Sequence, residues 1–193
     1  VIIVTNSSTN TWIGGTSIDW NTAANWCGGV PTSASNVVIP SGTTFSPSIY
    51  QTANAYANSV TIDSGAALSM SNAYSLSITS GGSIINNGTF NAGNGTVNFA
   101  GGGTITGTIL FYNVNLNGTV SFSNAVTINN NLRISSGGAV TTNSPTYGSS
   151  SSLQYYSGGS YNRNLEWNAT SGAGYPNNVT VENNTVLNVK NGD

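Results

Sequence analysis

Histidine is absent from the chain, and cysteine occurs once, at position 27. Without an imidazole, neither a Cys/His metal site nor a Cys–His nucleophile can be assembled. A lone cysteine closes no internal disulfide, so Cys27 reads as a small buried side chain or as the partner of a cysteine outside this chain. Charge is almost as scarce, at 4% of residues against about 25% in an average soluble domain. Arg133, Arg163 and Lys190 are the only basic side chains, too few to neutralise a run of phosphates or to hold an anionic membrane surface. The carboxylates are Asp19, Asp63, Glu166, Glu182 and Asp193; none has a second close by in sequence, which argues against a hard-cation cage. No apolar run approaches the roughly 20 residues that span a bilayer. The opening Val1-Ile2-Ile3-Val4 also lacks the basic start and cleavage site of a signal peptide. The expectation is a mature product or a cut fragment with no nucleic-acid partner, no membrane insertion, no cofactor and no metal.

Low charge of this kind does not mean disorder, because 37% of the residues are hydrophobic and the net charge is only −2. The apolar residues fall in short alternating dyads: Val60-x-Ile62, Leu76-x-Ile78, Val97-x-Phe99, Val114-x-Leu116, Val126-x-Ile128, Leu132-x-Ile134, Val179-x-Val181 and Leu187-x-Val189. A period of two marks half-buried strands. Turn-formers such as Ser80-Gly81-Gly82, Asn94-Gly95 and Asn117-Gly118 lie between them. No window of helical length holds a 3.6 period, so at most one short helix is expected. Val60, Leu76, Val97, Val114 and Leu132 recur at intervals of 16, 21, 17 and 18 residues, each read as one solenoid coil.

The fold expected is therefore all-β, a right-handed parallel β-helix, or β-solenoid. Its core is Val60, Ile62, Leu76, Ile78, Val97, Phe99, Val114, Leu116, Ile128, Leu132 and Ile134. Asn and Gly serve the tight turns, where stacked Asn side chains form hydrogen-bond ladders. Two stretches break the pattern. Residues 10–32 hold Trp12, Trp20 and Trp26, and residues 145–178 hold Tyr147, Tyr155, Tyr156, Tyr161, Trp167 and Tyr175. The first reads as a Trp-rich cap over the open end of a solenoid, giving residues 1–40 as capping segment and first coil and residues 41–193 as coils that continue beyond the chain end. Both stretches have an alternative reading as carbohydrate-stacking platforms.

The segment Trp20-Asn21-Thr22-Ala23-Ala24-Asn25-Trp26-Cys27-Gly28-Gly29-Val30-Pro31, followed by Asn36-Val37-Val38-Ile39-Pro40, resembles an entry motif of autotransporter-like and Bacteroidetes surface proteins. Gly95-Thr96-Val97-Asn98-Phe99, the Phe111–Leu116 and Val126–Leu132 runs, and Glu166-Trp167 through Gly172-Ala173-Gly174-Tyr175-Pro176-Asn177-Asn178-Val179 look like the β-helical passenger repeats of the same proteins. The resemblance implies an extracellular, cell-surface adhesin exported by the type IX secretion system. Its partners would be downstream domains of the same polypeptide, neighbouring copies, the secretion machinery or a surface polysaccharide.

Enzymatic readings find little to build on. Hydrolysis of a glycosidic bond needs two carboxylates roughly 5 to 9.5 Å apart; Glu166 and Glu182 are about one coil apart, yet read as isolated solvated charges. Arg133, between Leu132 and Ile134, reads as an outward surface charge. The N-x-S/T sequons at Asn6, Asn87, Asn94, Asn117, Asn168, Asn178 and Asn183 are frequent in a chain so rich in Asn and Thr. Ice binding would need Thr-x-Thr at one position of every coil, and Thr104-Ile105-Thr106 is the one clear instance. The function expected is structural and adhesive, without catalysis. The tyrosines and tryptophans named above are the candidate carbohydrate or partner contacts.

Overall fold

The computed structural model describes residues 9–50, 53–71 and 74–189; Val1–Val4, Asn6, Lys190 and Asp193 lie outside them. The expected fold is what the chain adopts, a parallel β-solenoid of about six turns. Every strand pair is parallel: each coil lays its strands on those of the coil before. Three faces result. One is a seven-stranded sheet in chain order: Thr9–Thr11, Asn36–Ile39, Ser59–Ile62, Gly82–Asn86, Gly103–Thr106, Thr119–Phe122 and Ala139–Thr141. The second, eight-stranded, stacks Ala55–Ala57, Ser75–Ile78, Thr96–Phe99, Ile109–Leu116, Val126–Ser135, Ser152–Tyr156 and Asn178–Val181, with Thr146–Tyr147 beside Val126–Ser135. A three-stranded sheet, Ser48–Ile49, Ala67–Met70 and Thr89–Asn91, forms the third.

Period-two patterning puts alternate residues inside. All eleven expected core residues are at most 1% exposed. In the long sheet Ala55, Leu76, Val97, Val114, Leu132, Leu153 and Val179 stand in register one above another, so the coils are 17 to 26 residues long. Val60 is not in this column. It pairs with Val37 and Ile84 in the seven-stranded sheet, so the 16-residue step from Val60 to Leu76 crosses from one face to another instead of completing a coil. At most one short helix was expected; among the described residues the helical content is two one-turn 3-10 segments, Ala23–Asn25 and Leu165–Trp167.

The three early tryptophans belong to the same continuous core as the coils. Trp12 and Trp20 are fully buried and Trp26 is 3% exposed, with Trp26 edge-on to Trp12 at 4.9 Å and to Trp20 at 4.7 Å. The indole nitrogens of Trp12 and Trp26 donate to the carbonyls of Phe45 and Trp20. Asn25, wholly buried, ties down the surrounding loop. Its Oδ1 accepts from the Thr16 and Ser17 amides and the Thr16 hydroxyl, while its Nδ2 donates to Ser17 Oγ and the Asp19 carbonyl. The Asn-Trp pair of the entry motif is thus a packing device. The idea that these tryptophans stack on sugars is overturned by their burial.

Candidate functional site

Register decides what the outward residues of the long sheet can do. One row reads Tyr56, Ser77, Asn98, Asn115, Arg133, Gln154, Thr180; the next reads Ser75, Thr96, Asn113, Asn131, Ser152, Asn178. Amides bond along these rows. Asn115 Nδ2 donates to Asn98 Oδ1 at 2.8 Å, Asn130 Nδ2 to Asn113 Oδ1 at 2.7 Å, and Gln154 Nε2 to Glu182 Oε2 at 2.9 Å. The first two bonds join strand residues across the flat face, and the third reaches Glu182, just past the Asn178–Val181 strand. In this sheet the ladders run over the strands, where the turns were expected to carry them, because the 4.7–4.9 Å strand spacing suits amide-to-amide bonding there.

Arg133 interrupts the first row. It is half-buried, its guanidinium lies 3.7 Å above the centre of the Tyr156 ring, and its Nε is buried without a hydrogen-bond partner among the described residues. The outward surface charge expected here is held in place on an aromatic ring. Beside it the Val126–Ser135 strand carries a bulge: Phe111 pairs with Ile128 but Asn113 with Asn131. The extra residue turns Asn130 onto the outer face. An open groove of about 500 Å³ follows, lined by Thr96, Asn113, Asn115, Asn130, Asn131, Arg133, Ser152, Gln154, Thr180 and Glu182.

The tyrosine-rich stretch divides into an inner and an outer part. Tyr155 is fully buried and Tyr147 is 8% exposed, so neither is a surface contact, contrary to expectation. Both turn inward to Glu166, which is itself fully buried and not the solvated charge its sequence position suggests. Glu166 Oε1 accepts from Asn164 N at 2.8 Å, Tyr161 Oη at 3.0 Å and Tyr155 Oη at 3.3 Å; its backbone carbonyl accepts from Tyr147 Oη at 2.7 Å. Burial first, and the Glu166 charge second, push the phenols of Tyr147, Tyr155 and Tyr161 well above their ordinary value. Tyr161 is half-buried with its hydroxyl directed into this cluster.

Outside, the Leu165–Trp167 turn is opened by Asn164, whose side chain accepts from Leu165 N. It presents a half-buried Trp167 to solvent, with Arg163 Cζ 5.3 Å from its ring. Tyr175, 47% exposed, closes a second hollow of about 540 Å³ with Arg163, Trp167, Asn168, Ala169, Thr170 and Ser171. Of the six sequence candidates, Trp167 and Tyr175 therefore share a hollow, and Tyr156 lies under Arg133 on the other groove. The groove's Arg133 was missed. Its one signal was a cation within a strand of small polar residues, and its aromatic partner is diagonal on the next coil, which only the register reveals.

Other expectations resolve more simply. Cys27 is exposed, not buried; its sulfur accepts from Thr11 N. Thr104 stands between Ser83 and Ser121 in register, so the Thr-x-Thr array of an ice-binding face is not repeated. Asn87, Asn94, Asn117, Asn168, Asn178 and Asn183 are exposed. A family model described as a domain of unknown function, DUF8693, matches residues 11–192. No curated protein and no solved structure matches the chain.

Proposed function

We propose, on the premise that the chain belongs to the DUF8693 family, that it is a structural, adhesive and non-catalytic segment of a large secreted bacterial surface protein. One observation carries this reading: outward amides of the long sheet bond coil to coil, which stiffens a nearly uncharged rod. The carboxylates support it too. Glu166 is sealed among tyrosines while Glu182 lines the outer groove, so the pair is not disposed as a general acid and base across one cleft. The entry-motif resemblance supports a rod outside a bacterial cell, exported by the type IX system and joined to further domains. The test is retention under flow. Beads coated with the chain should be held by surfaces bearing bacterial or plant polysaccharide and washed off bare ones; beads held by none of a broad glycan and protein panel would defeat the adhesive reading.

A second reading, carbohydrate binding at the Trp167 hollow, is favoured by the half-exposed indole and Tyr175 framing a cavity rimmed with Asn168, Thr170 and Ser171. Aromatic faces take the apolar face of a sugar while amides and hydroxyls take its hydroxyls. Because Trp12, Trp20 and Trp26 are buried, a saccharide there should shift the fluorescence of Trp167 alone. Trp167→Ala should abolish that response and weaken binding by about tenfold or more. An unchanged titration in the variant would remove the hollow from consideration.

A further inference from the structure

We infer that the groove on the outer face of the long sheet binds an acidic polysaccharide, with Arg133 taking the carboxylate of a single uronate residue. The groove and the Trp167 hollow share no residue. The inference deepens the adhesive reading by naming a ligand class.

Arg133 forfeits a place in the amide ladder. Its row neighbour Asn115 bonds to Asn98, and an Asn at position 133 could extend the same ladder. Arg133 instead brings a cation onto a face that is amide and hydroxyl apart from Glu182 at its end, its Nε without a partner among the described residues. The Tyr156 ring, its centre 3.7 Å from Arg133 Cζ, holds the guanidinium in place. Side-chain entropy that binding would otherwise cost is thereby removed beforehand. A planar guanidinium so held is suited to a bidentate carboxylate. The rest of the lining consists mainly of amides and hydroxyls, from Asn113, Asn130, Asn131, Ser152 and Thr180, which both donate and accept. That fits a polyhydroxylated ligand better than a peptide, which would want apolar pockets for its side chains.

Direction and spacing follow from the register. Arg133 pairs with Gln154 and Gln154 with Thr180, so along the solenoid axis one strand is crossed every 4.7–4.9 Å, comparable with the length of one hexopyranose ring. Two coils beyond Arg133 the groove ends at Glu182, already accepting from Gln154. A carboxylate there repels a second acidic sugar and accepts from a hydroxyl. The ligand is therefore a chain in which uronates are separated by neutral sugars.

The probes are deacylated gellan oligosaccharides, whose uronates are separated in this way, the same oligosaccharides after carboxyl reduction, and polygalacturonate. Calorimetric titration of the full chain should show gellan binding that falls about tenfold or more on carboxyl reduction or in Arg133→Gln. The carboxyl-reduced probe needs no variant, so the test holds even where Arg133→Gln folds poorly. Absence of gellan binding, or equal affinity for the reduced oligosaccharide, overturns the inference. Polygalacturonate binding as tightly as gellan overturns the role given to Glu182. Adhesion to neutral surfaces with no gellan binding would sink this inference alone, whereas no retention anywhere would sink the adhesive reading.

Discussion

A fully buried carboxylate is costly unless its oxygens are met by donors. Glu166 has three on one oxygen and, among the described residues, none on the other. Replacing it tests what it holds together. Glu166→Ala strands two phenols and the Asn164 amide and opens a cavity, for a loss of about 2–4 kcal/mol. Glu166→Gln keeps an acceptor for those donors and removes the charge, and should cost less than about 1 kcal/mol; equal losses in urea melts would contradict the network. The same cluster sets the alkaline limit. Phenols raised in the folded state keep their protons where the unfolded chain sheds them, so stability is whole below pH about 10 and declines as pH rises beyond it, by up to about 1.4 kcal/mol per pH unit each for Tyr147 and Tyr155. Of the nine tyrosines, Tyr147, Tyr155 and Tyr161 should resist ultraviolet titration until unfolding, and Glu166→Gln should bring them partway down. None of this was legible beforehand. Glu166 stands alone in sequence, and its burial arises from Tyr147 and Tyr155 folding in from earlier strands.

At the level of strands and corners, neighbouring glycines serve different ends. Gly81 sits at φ +81° with nothing near its missing side chain; at Gly82 an added Cβ would collide with the Asn58 carbonyl of the coil below. Gly81→Ala should therefore cost only the left-handed penalty, about 1–2 kcal/mol. Gly82→Ala must push two coils apart and should cost about 3 kcal/mol or more. Denaturant midpoints distinguish them, and similar values would show that the corner is looser than its contacts imply. Both glycines could be read from the sequence as turn residues, but their difference could not, because it depends on which carbonyl the previous coil places opposite. The same reason explains the Val60 spacing. Dyads reveal that a strand exists and which side faces in, whereas the face to which it belongs is a property of coil length, and that varies. The bulge at Asn130 is another such case: one surplus residue in an Asn-Asn-Asn run leaves no compositional mark.

The whole molecule is held by apolar stacking and backbone ladders, with eight formal charges in the entire chain, three basic and five acidic. Its melting temperature should move by less than roughly 3 °C between low salt and 1 M NaCl; a larger shift would point to ionic contacts that matter. The parallel register has a mechanical side as well. Each coil is bonded to the next by short ladders that lie in series along the axis, so tension applied from end to end reaches the outermost coil before any other. That coil peels away as a unit and lengthens the tether by the extended span of its 17 to 26 residues, roughly 6 to 9 nm, before the next is loaded. A rod of this kind yields in instalments. It limits the peak force carried along its axis and leaves the remaining coils folded, ready to rewind when the pull relaxes.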